Sequence, residues 1–369
     1  FEGLNLMAQL KAAQQSAASR AAAATTEPVV EAPTPDRLRR IAEQRYGLKP
    51  LDDEAAERAL AAEAALADEE AALAVEQRGL EPVRPPARSD IGHHTPVPRP
   101  PFWGARVLEK IELQAPLAYI NETMLFQVQW GFRKKRRAPE EWQRYVQSEI
   151  RPLYRQLVER CQRDEILKPQ AIYGYWPCNS DGDDLIIFEP PSGTIDRPEH
   201  HRGELVRFRF PRQRKHPYWC LADFWRPASA GVVDVAAFSL VTAGRRVSEV
   251  ARQWFEQNQY QQYLFLHGLG VELAEALAEY VHKQVRVELG IAGGDARELG
   301  RLFQQGYQGS RYSFGYPACP NLEDQVPLMK LLQPERIGVR LGEEYQLEPE
   351  QSTSALIAYH PAARYFNVR

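Results

Sequence analysis

The feature that most limits what this chain can become is a break in composition near residue 100. Between Glu81 and Pro101, prolines stand at 82, 85, 86, 96, 98, 100 and 101. Each fixes φ and removes a backbone donor, so neither a helix nor a central strand can run through. The stretch reads as an extended connector and not a packed element. Residues before it are rich in Ala, Glu and Leu, whereas those after it are rich in aromatic and β-branched types. The two halves obey different rules and are read separately.

The first half divides again. Residues 1–24 (FEGLNLMAQLKAAQQSAASRAAAA) favour a helix and read as the tail of a preceding domain, and the start at Phe1 instead of a methionine points to a piece of something longer. Thr25 to Pro35 is linker. Asp36 suits the N-cap of a helix to about Tyr46, and a second helix is expected from about Asp52 to Arg78, stopped by Gly79. Leu60, Leu66, Leu73 and Leu80 form a narrow stripe. It fits packing on a partner domain and a solvated alanine-rich spacer equally well. Residues 25–100 are therefore expected to be a helical and Pro-rich linker. The His93–His94 pair inside it is expected to be inert, because a metal site needs further fixed groups.

Residues 101–369 carry the signature of a folded α+β domain. Strand-like runs recur at Ala171 to Trp176, Asp184 to Glu189, Leu205 to Phe210, Tyr218 to Phe224 and Val233 to Thr242. Helical runs fall at about Pro139 to Arg163, Val247 to Leu289 and Ala296 to Gln305. The expected architecture is a mostly antiparallel twisted sheet with flanking helices to one side. NSDGDD at 179–184 resembles a calcium loop, but Pro177 and the missing closing glutamate spoil the ligand spacing, and a hairpin turn is the better reading.

Charge and cysteine content narrow the function classes. A net charge of −3 gives no general pull toward nucleic acid, and the run Arg133, Lys134, Lys135, Arg136, Arg137 is too short to change that. It is either a solvated loop or a docking patch for an acidic protein. The four cysteines are scattered without a CxxC pair, which fits a reducing cytoplasm and neither a zinc knuckle nor a disulfide framework. No apolar run approaches the length of about 20 residues that spans a bilayer, and no membrane partner is expected.

The run RYSFGYPACP, Arg311 to Pro320, combines a guanidinium, an aromatic phenol, Gly315 and two prolines. Such a composition makes an irregular loop that either joins two elements or brings main-chain groups and Arg311 to a planar, carboxylate-bearing ligand.

Several strings in fixed order narrow this choice: YIN at 119–121, FPRQ at 210–213, YWCLADFWRP at 218–227, LAEALAEYVHKQVR at 273–286, YQGSRYSFGYPACP at 307–320 and AYHPAARYF at 358–366. Together they resemble the S-adenosylmethionine-binding activation domain of the cobalamin-dependent methionine synthase family, over about residues 101–369. Residues 1–24 are similar to the closing helix of that family's cobalamin-binding domain.

The resemblance implies a reactivation module. S-adenosylmethionine and an electron from a flavodoxin or flavodoxin-like reductase would convert idle cob(II)alamin, held mainly by a neighbouring domain of the same polypeptide, back to methylcobalamin. It also implies site residues. Arg311 would pair with the ligand carboxylate, and Glu275 would accept from the ribose or the ammonium. Gly315, Tyr316 and Ala318 would line the ligand-facing loop, and Tyr365 and Phe366 would form an aromatic pair beside the ligand. Asn121 stands where the family carries aspartate, which would weaken attraction to the ammonium without changing the mode. No catalytic acid, base, nucleophile or metal ligand is expected from the chain, because cobalt is the nucleophile and the sulfonium already leaves well. Two other readings remain at this point, a free-standing activator of a separate corrinoid protein and a scaffold that has lost the ligand.

Overall fold

The computed structural model describes residues 86–134, 137–191 and 203–368. The expectations for residues 1–24, for the helices at 36–46 and 52–78 and for the first part of the connector lie outside them.

The centre is an antiparallel sheet. Strand β2 (Gln170–Asp181) is twelve residues long, and its length lets it pair on one edge with two strands in succession. Its first half meets β1 (Gly104–Leu108) and its last residues meet β3 (Asp184–Phe188). Across its other edge lies β5 (Asp234–Thr242), then β9 (Ser352–Ala358), then the short edge strand β6 (Ser310–Tyr312). Strand β4 (Glu204–Arg209) closes the far side against β3. The hairpin expected at NSDGDD is present, with Gly182 and Asp183 between the paired Asp181 and Asp184. Strands β7 (Arg340–Leu341) and β8 (Leu347–Glu348) form a separate ribbon.

Side chains alternate across the sheet with a period of two, so each strand feeds two cores. Ile172, Trp176, Phe238, Leu240 and Leu356 point to one face, where Phe208, Phe224, Leu328 and Leu331 cover them. Ala171, Tyr173, Tyr175, Val235, Ala237 and Ile357 point to the other, where Leu277, Val281 and Val285 of a long helix lie. The short helix Gln325–Leu332 serves the first face. Helices therefore flank both faces, in contrast to the one-sided arrangement expected.

The long helix, Tyr260–Glu288, also reaches beyond the sheet into a third core built from residues 113–167 and the helix Arg245–Glu256. The sequence suggested one helix over 247–289. The chain instead breaks at 257–259, where Asn258 takes φ of +61°. The helical run at 139–163 is continuous, but a π turn at Val146–Ile150 separates Pro139–Tyr145 from Arg151–Arg163. Pro152, which cannot donate to the preceding turn, accounts for the wider spacing there. The helix expected over 296–305 is trimmed to Leu299–Phe303.

One expected strand is absent. Tyr218 to Phe224 is a tight loop ending in a 3-10 turn, Leu221–Phe224. The cause is Asp223, fully buried, whose Oδ2 accepts from the Cys220 N–H at 3.0 Å and from the Ser89 hydroxyl at 2.6 Å, while both oxygens take Arg212. A buried carboxylate that gathers nearby donors curls the chain around itself.

The connector is extended, as its prolines require, yet packed. Arg88 donates to the Ser180 hydroxyl at 2.7 Å and to the carbonyls of Asp223 and Trp225. Arg226 reaches back to the carbonyls of His93 and Thr95. His93 sits 2.7 Å from Arg88 and edge-on to His360. Burial, then Arg88, His360 and Arg226, push its pKa down to about 4, so it serves the strap as a neutral acceptor.

Candidate functional site

Arg311 lies on an edge strand, not in a loop as its surroundings suggested. In β6, Arg311 pairs with Ile357 and Tyr312 with Leu356. Strand parity therefore turns Tyr312 into the first core and Arg311 toward the long helix. Gly309 admits this approach: with φ of +84°, it sits where a Cβ would stand 2.5 Å from the Ala358 carbonyl oxygen.

Two glutamates one helical turn apart face the arginine. Arg311 Nη1 donates to Glu279 Oε2, and its Nη2 stands 3.6 Å from Glu275 Oε2. The side chains are 4 % and 44 % exposed for Glu279 and Glu275, and 22 % for Arg311. Burial opposes the charge on Arg311, but the facing carboxylates, led by Glu279, more than offset this and hold its pKa above the ordinary value. The guanidinium is thus fixed on its buried side and open on its exposed side.

Behind Glu279 the charges continue inward. Its other oxygen accepts from Arg286 Nη2 at 3.2 Å, and Arg286 is fully buried. Arg286 also donates to Asp295 at 2.9 Å, shares it with Lys283 at 2.9 Å, and lies 4.0 Å over the Tyr307 ring. His282 is packed edge-on to Tyr307. Burial, then Arg286 and Arg311, keep it well below its ordinary pKa and hence neutral. None of Glu279, Arg286, Asp295 or Tyr307 was singled out from the sequence. Glu279 carried a legible signal, being four residues after Glu275 on an expected helix and so on the same face.

The loop after Arg311 closes on itself. Gly315 N–H donates to the Cys319 carbonyl and Cys319 N–H to the Tyr316 carbonyl, both at 2.9 Å. Gly315 has φ of +92°, and a Cβ there would lie 2.8 Å from Leu322. Tyr316 projects outward, 53 % exposed, and Ala318 is buried. The four cysteines, Cys319 included, are buried and unbridged.

The C-terminal segment is tied to β6. Tyr312 donates its hydroxyl to the Arg364 carbonyl at 2.9 Å, and Gln305 bridges the Ser310 hydroxyl and the Tyr365 N–H. Tyr365 is exposed. Phe366 is not its twin: it is buried against Trp219, Phe224 and Tyr312. Asn121 also stands apart in its bonding. Its Oδ1 accepts from the N–H groups of Thr123 and Met124 at 3.2 Å, capping the helical turn that begins at Glu122 and leads into Met124–Gln129. Nearby Tyr119 packs on Tyr280 of the long helix. The structure thus joins Arg311, Glu275 and the Tyr365 segment, sets Tyr316 beside them in sequence, and leaves Phe366 in the core.

Among the described residues, no group of His, Cys, Asp and Glu could hold a metal ion, and no helix is long and apolar enough to cross a membrane. In the basic run, Arg137 stacks over Tyr145 and donates to the Arg133 carbonyl.

Residues 112–369 match the family described as vitamin B12 dependent methionine synthase, activation domain. The chain is 43 % identical over 300 residues to the methionine synthase of Mycobacterium tuberculosis, covering 78 % of this chain and 25 % of that protein. It is 41 % identical over 309 residues to that of Mycobacterium leprae, covering 80 % of this chain and 25 % of the relative. The chain thus spans about a quarter of the length of these relatives. A crystal structure of the MetH reactivation domain bound to AdoHcy shares the fold, with a TM-score of 0.64 and 25 % identity over 74 % of this chain and 83 % of that one. With its antiparallel sheet, long helix and GYPACP loop in this order, the chain belongs to the activation-domain family of vitamin B12-dependent methionine synthases.

Proposed function

We propose that this chain is the reactivation module of a methionine synthase, binding S-adenosylmethionine and supporting reductive methylation of cobalamin. The observation that carries the reading is the partly exposed side chain of Arg311, anchored to buried Glu279 and facing half-exposed Glu275. The donor set fits the ligand: an arginine for its carboxylate, a carboxylate for its ammonium or ribose, and exposed aromatic rings for its sulfonium.

Arg311 Nη2 takes the ligand carboxylate, and Glu275 accepts from the ammonium or a ribose hydroxyl. Asn121, whose Oδ1 also serves its own turn, adds a neutral acceptor. Tyr316 and Tyr365 flank the sulfonium or nucleoside, and the main chain at Gly315 and Ala318 shapes the loop that seats it. Phe366 acts from behind, as the packing that holds Tyr365 in place. Cobalamin, when bound, supplies the cobalt that takes the methyl group. The chain's own part is to orient the methyl donor and exclude water. The partners are a cobalamin-binding domain of the same polypeptide and, as electron donor, a flavodoxin or flavodoxin-like reductase. The setting is the cytoplasm.

Calorimetry on the chain tests the reading. S-adenosylmethionine should bind, and Arg311→Ala should weaken it tenfold or more, about 1.4 kcal/mol at 25 °C. No heat with the unaltered chain, or equal affinity in the variant, would refute it.

A further inference from the structure

The two glutamates that face Arg311 are not equivalent. Glu275 is half exposed, and at 3.6 Å its contact is an ion pair without a hydrogen bond. A ligand carboxylate can take its place on Arg311 Nη2 while Glu275 turns to another group. Glu279 has no such freedom. One oxygen receives Arg311 and the other receives Arg286, and Arg286 is itself pinned by Asp295 and the Tyr307 ring. Lys283 donates to the same Asp295 oxygen as Arg286, and neutral His282 brings no competing charge.

We propose that Glu279 is the positioning residue of this site, fixing the Arg311 guanidinium so that its Nη2 edge is presented to the ligand carboxylate. The inference rests on the S-adenosylmethionine reading above and goes beyond it, because Glu279 touches no ligand in this scheme. The reason is preorganisation. An arginine on an edge strand has many rotamers, and restricting it before the ligand arrives removes that cost from binding. A glutamine at 279 keeps one acceptor but turns an amide donor toward one of the two guanidinium groups, so one anchor is lost.

The test compares S-adenosylmethionine with decarboxylated S-adenosylmethionine, which keeps the sulfonium, nucleoside and amine. Affinities are measured by calorimetry for the unaltered chain, Glu279→Gln, Glu279→Asp, Arg311→Ala and the Glu279→Gln/Arg311→Ala double variant. Glu279→Gln should weaken S-adenosylmethionine by about fivefold or more and leave the decarboxylated ligand within about twofold; the double variant should be no weaker than Arg311→Ala alone. Glu279→Asp, which keeps the charge on a shorter arm, should fall between. Equal fractional losses for both ligands, additive losses in the double variant, or full affinity in Glu279→Gln would each overturn the role of Glu279. If Glu279→Gln keeps full affinity while Arg311→Ala loses it, only this inference fails. If Arg311→Ala is also silent, the site reading fails with it.

Discussion

Two arginine–carboxylate clusters lie on opposite faces of the same sheet, and they are built differently. In the Arg212–Asp223 cluster, both side chains are almost wholly buried and the carboxylate takes Arg212 twice, at 2.5 and 2.9 Å, together with Ser89 and the Cys220 N–H. Both carboxylate oxygens are taken by buried protein groups, and Arg88 stitches the proline connector beside it. In the Arg311 cluster, one carboxylate is buried and the other stands in solvent at a distance too long for a hydrogen bond. A closed cluster holds chain segments together. An open one leaves charge unspent for a ligand. Neither is marked in the sequence, where Arg212 and Asp223 stand eleven residues apart and Arg311 and Glu279 thirty-two.

The contrast is tested most severely by removing Asp223. Asp223→Ala leaves the buried Arg212 guanidinium with Asp183 as its charge partner and takes the acceptor from the Ser89 hydroxyl and the Cys220 N–H. It should destabilise the chain by about 3 kcal/mol, read from urea denaturation. The fraction that remains folded should bind S-adenosylmethionine with its ordinary affinity. A loss below about 1 kcal/mol would show that the closed cluster is no more structural than an exposed pair.

Arg311→Ala should do the reverse. Its stability cost should be smaller than that of Asp223→Ala, because Glu279 keeps Arg286, while affinity falls tenfold or more. If instead the variant loses as much stability as Asp223→Ala, the open cluster is a clasp too.

The strap beside the closed cluster should respond to acid. Folded His93 holds a proton only below about 4, against 6.5 for the ordinary group, so between these values the unfolded chain binds more protons. Stability should be full above about pH 6.5 and decline as the pH falls toward 4. His93→Gln should flatten that slope in urea melts taken from pH 4 to 7; an identical slope would remove His93 from the strap.

The smallest expected effect concerns Asn121. Asn121→Ala should cost about 1 kcal/mol as a lost cap. Asn121→Asp keeps both N–H bonds and places a negative charge at the start of a helical turn, which favours it by a few tenths of a kcal/mol. The same change should tighten S-adenosylmethionine if the ammonium lies within reach, and leave it unchanged if Asn121 only caps.

The candidate site was legible in the chain only in part, and the reasons are physical. Arg311, Glu275, Gly315 and Tyr316 stood in strings dense enough to single out. Glu279 stood in the same string as Glu275 but was passed over, because a glutamate on an amphipathic helix reads as solvated until the facing element is known. Phe366 looked like a partner for Tyr365, but adjacent residues in an extended segment point to opposite sides, and only the position of Trp219 and Phe224 decides which side is buried. The segment Tyr218 to Phe224 had a strand's composition and became a loop, since Asp223 found Arg212 and Ser89 from elsewhere in the chain.

The proline-built connector, the antiparallel α+β class, the NSDGDD hairpin and the family strings are all written in the chain, because they depend on local backbone preference and on residue order. Long-range packing was needed for the rest: that the connector is strapped down, that Arg311 rides an edge strand, and that one of two similar glutamates is buried and the other half exposed. Each of those outcomes depends on desolvation by a distant segment, and burial by a remote neighbour leaves no mark on the residues beside it in the chain.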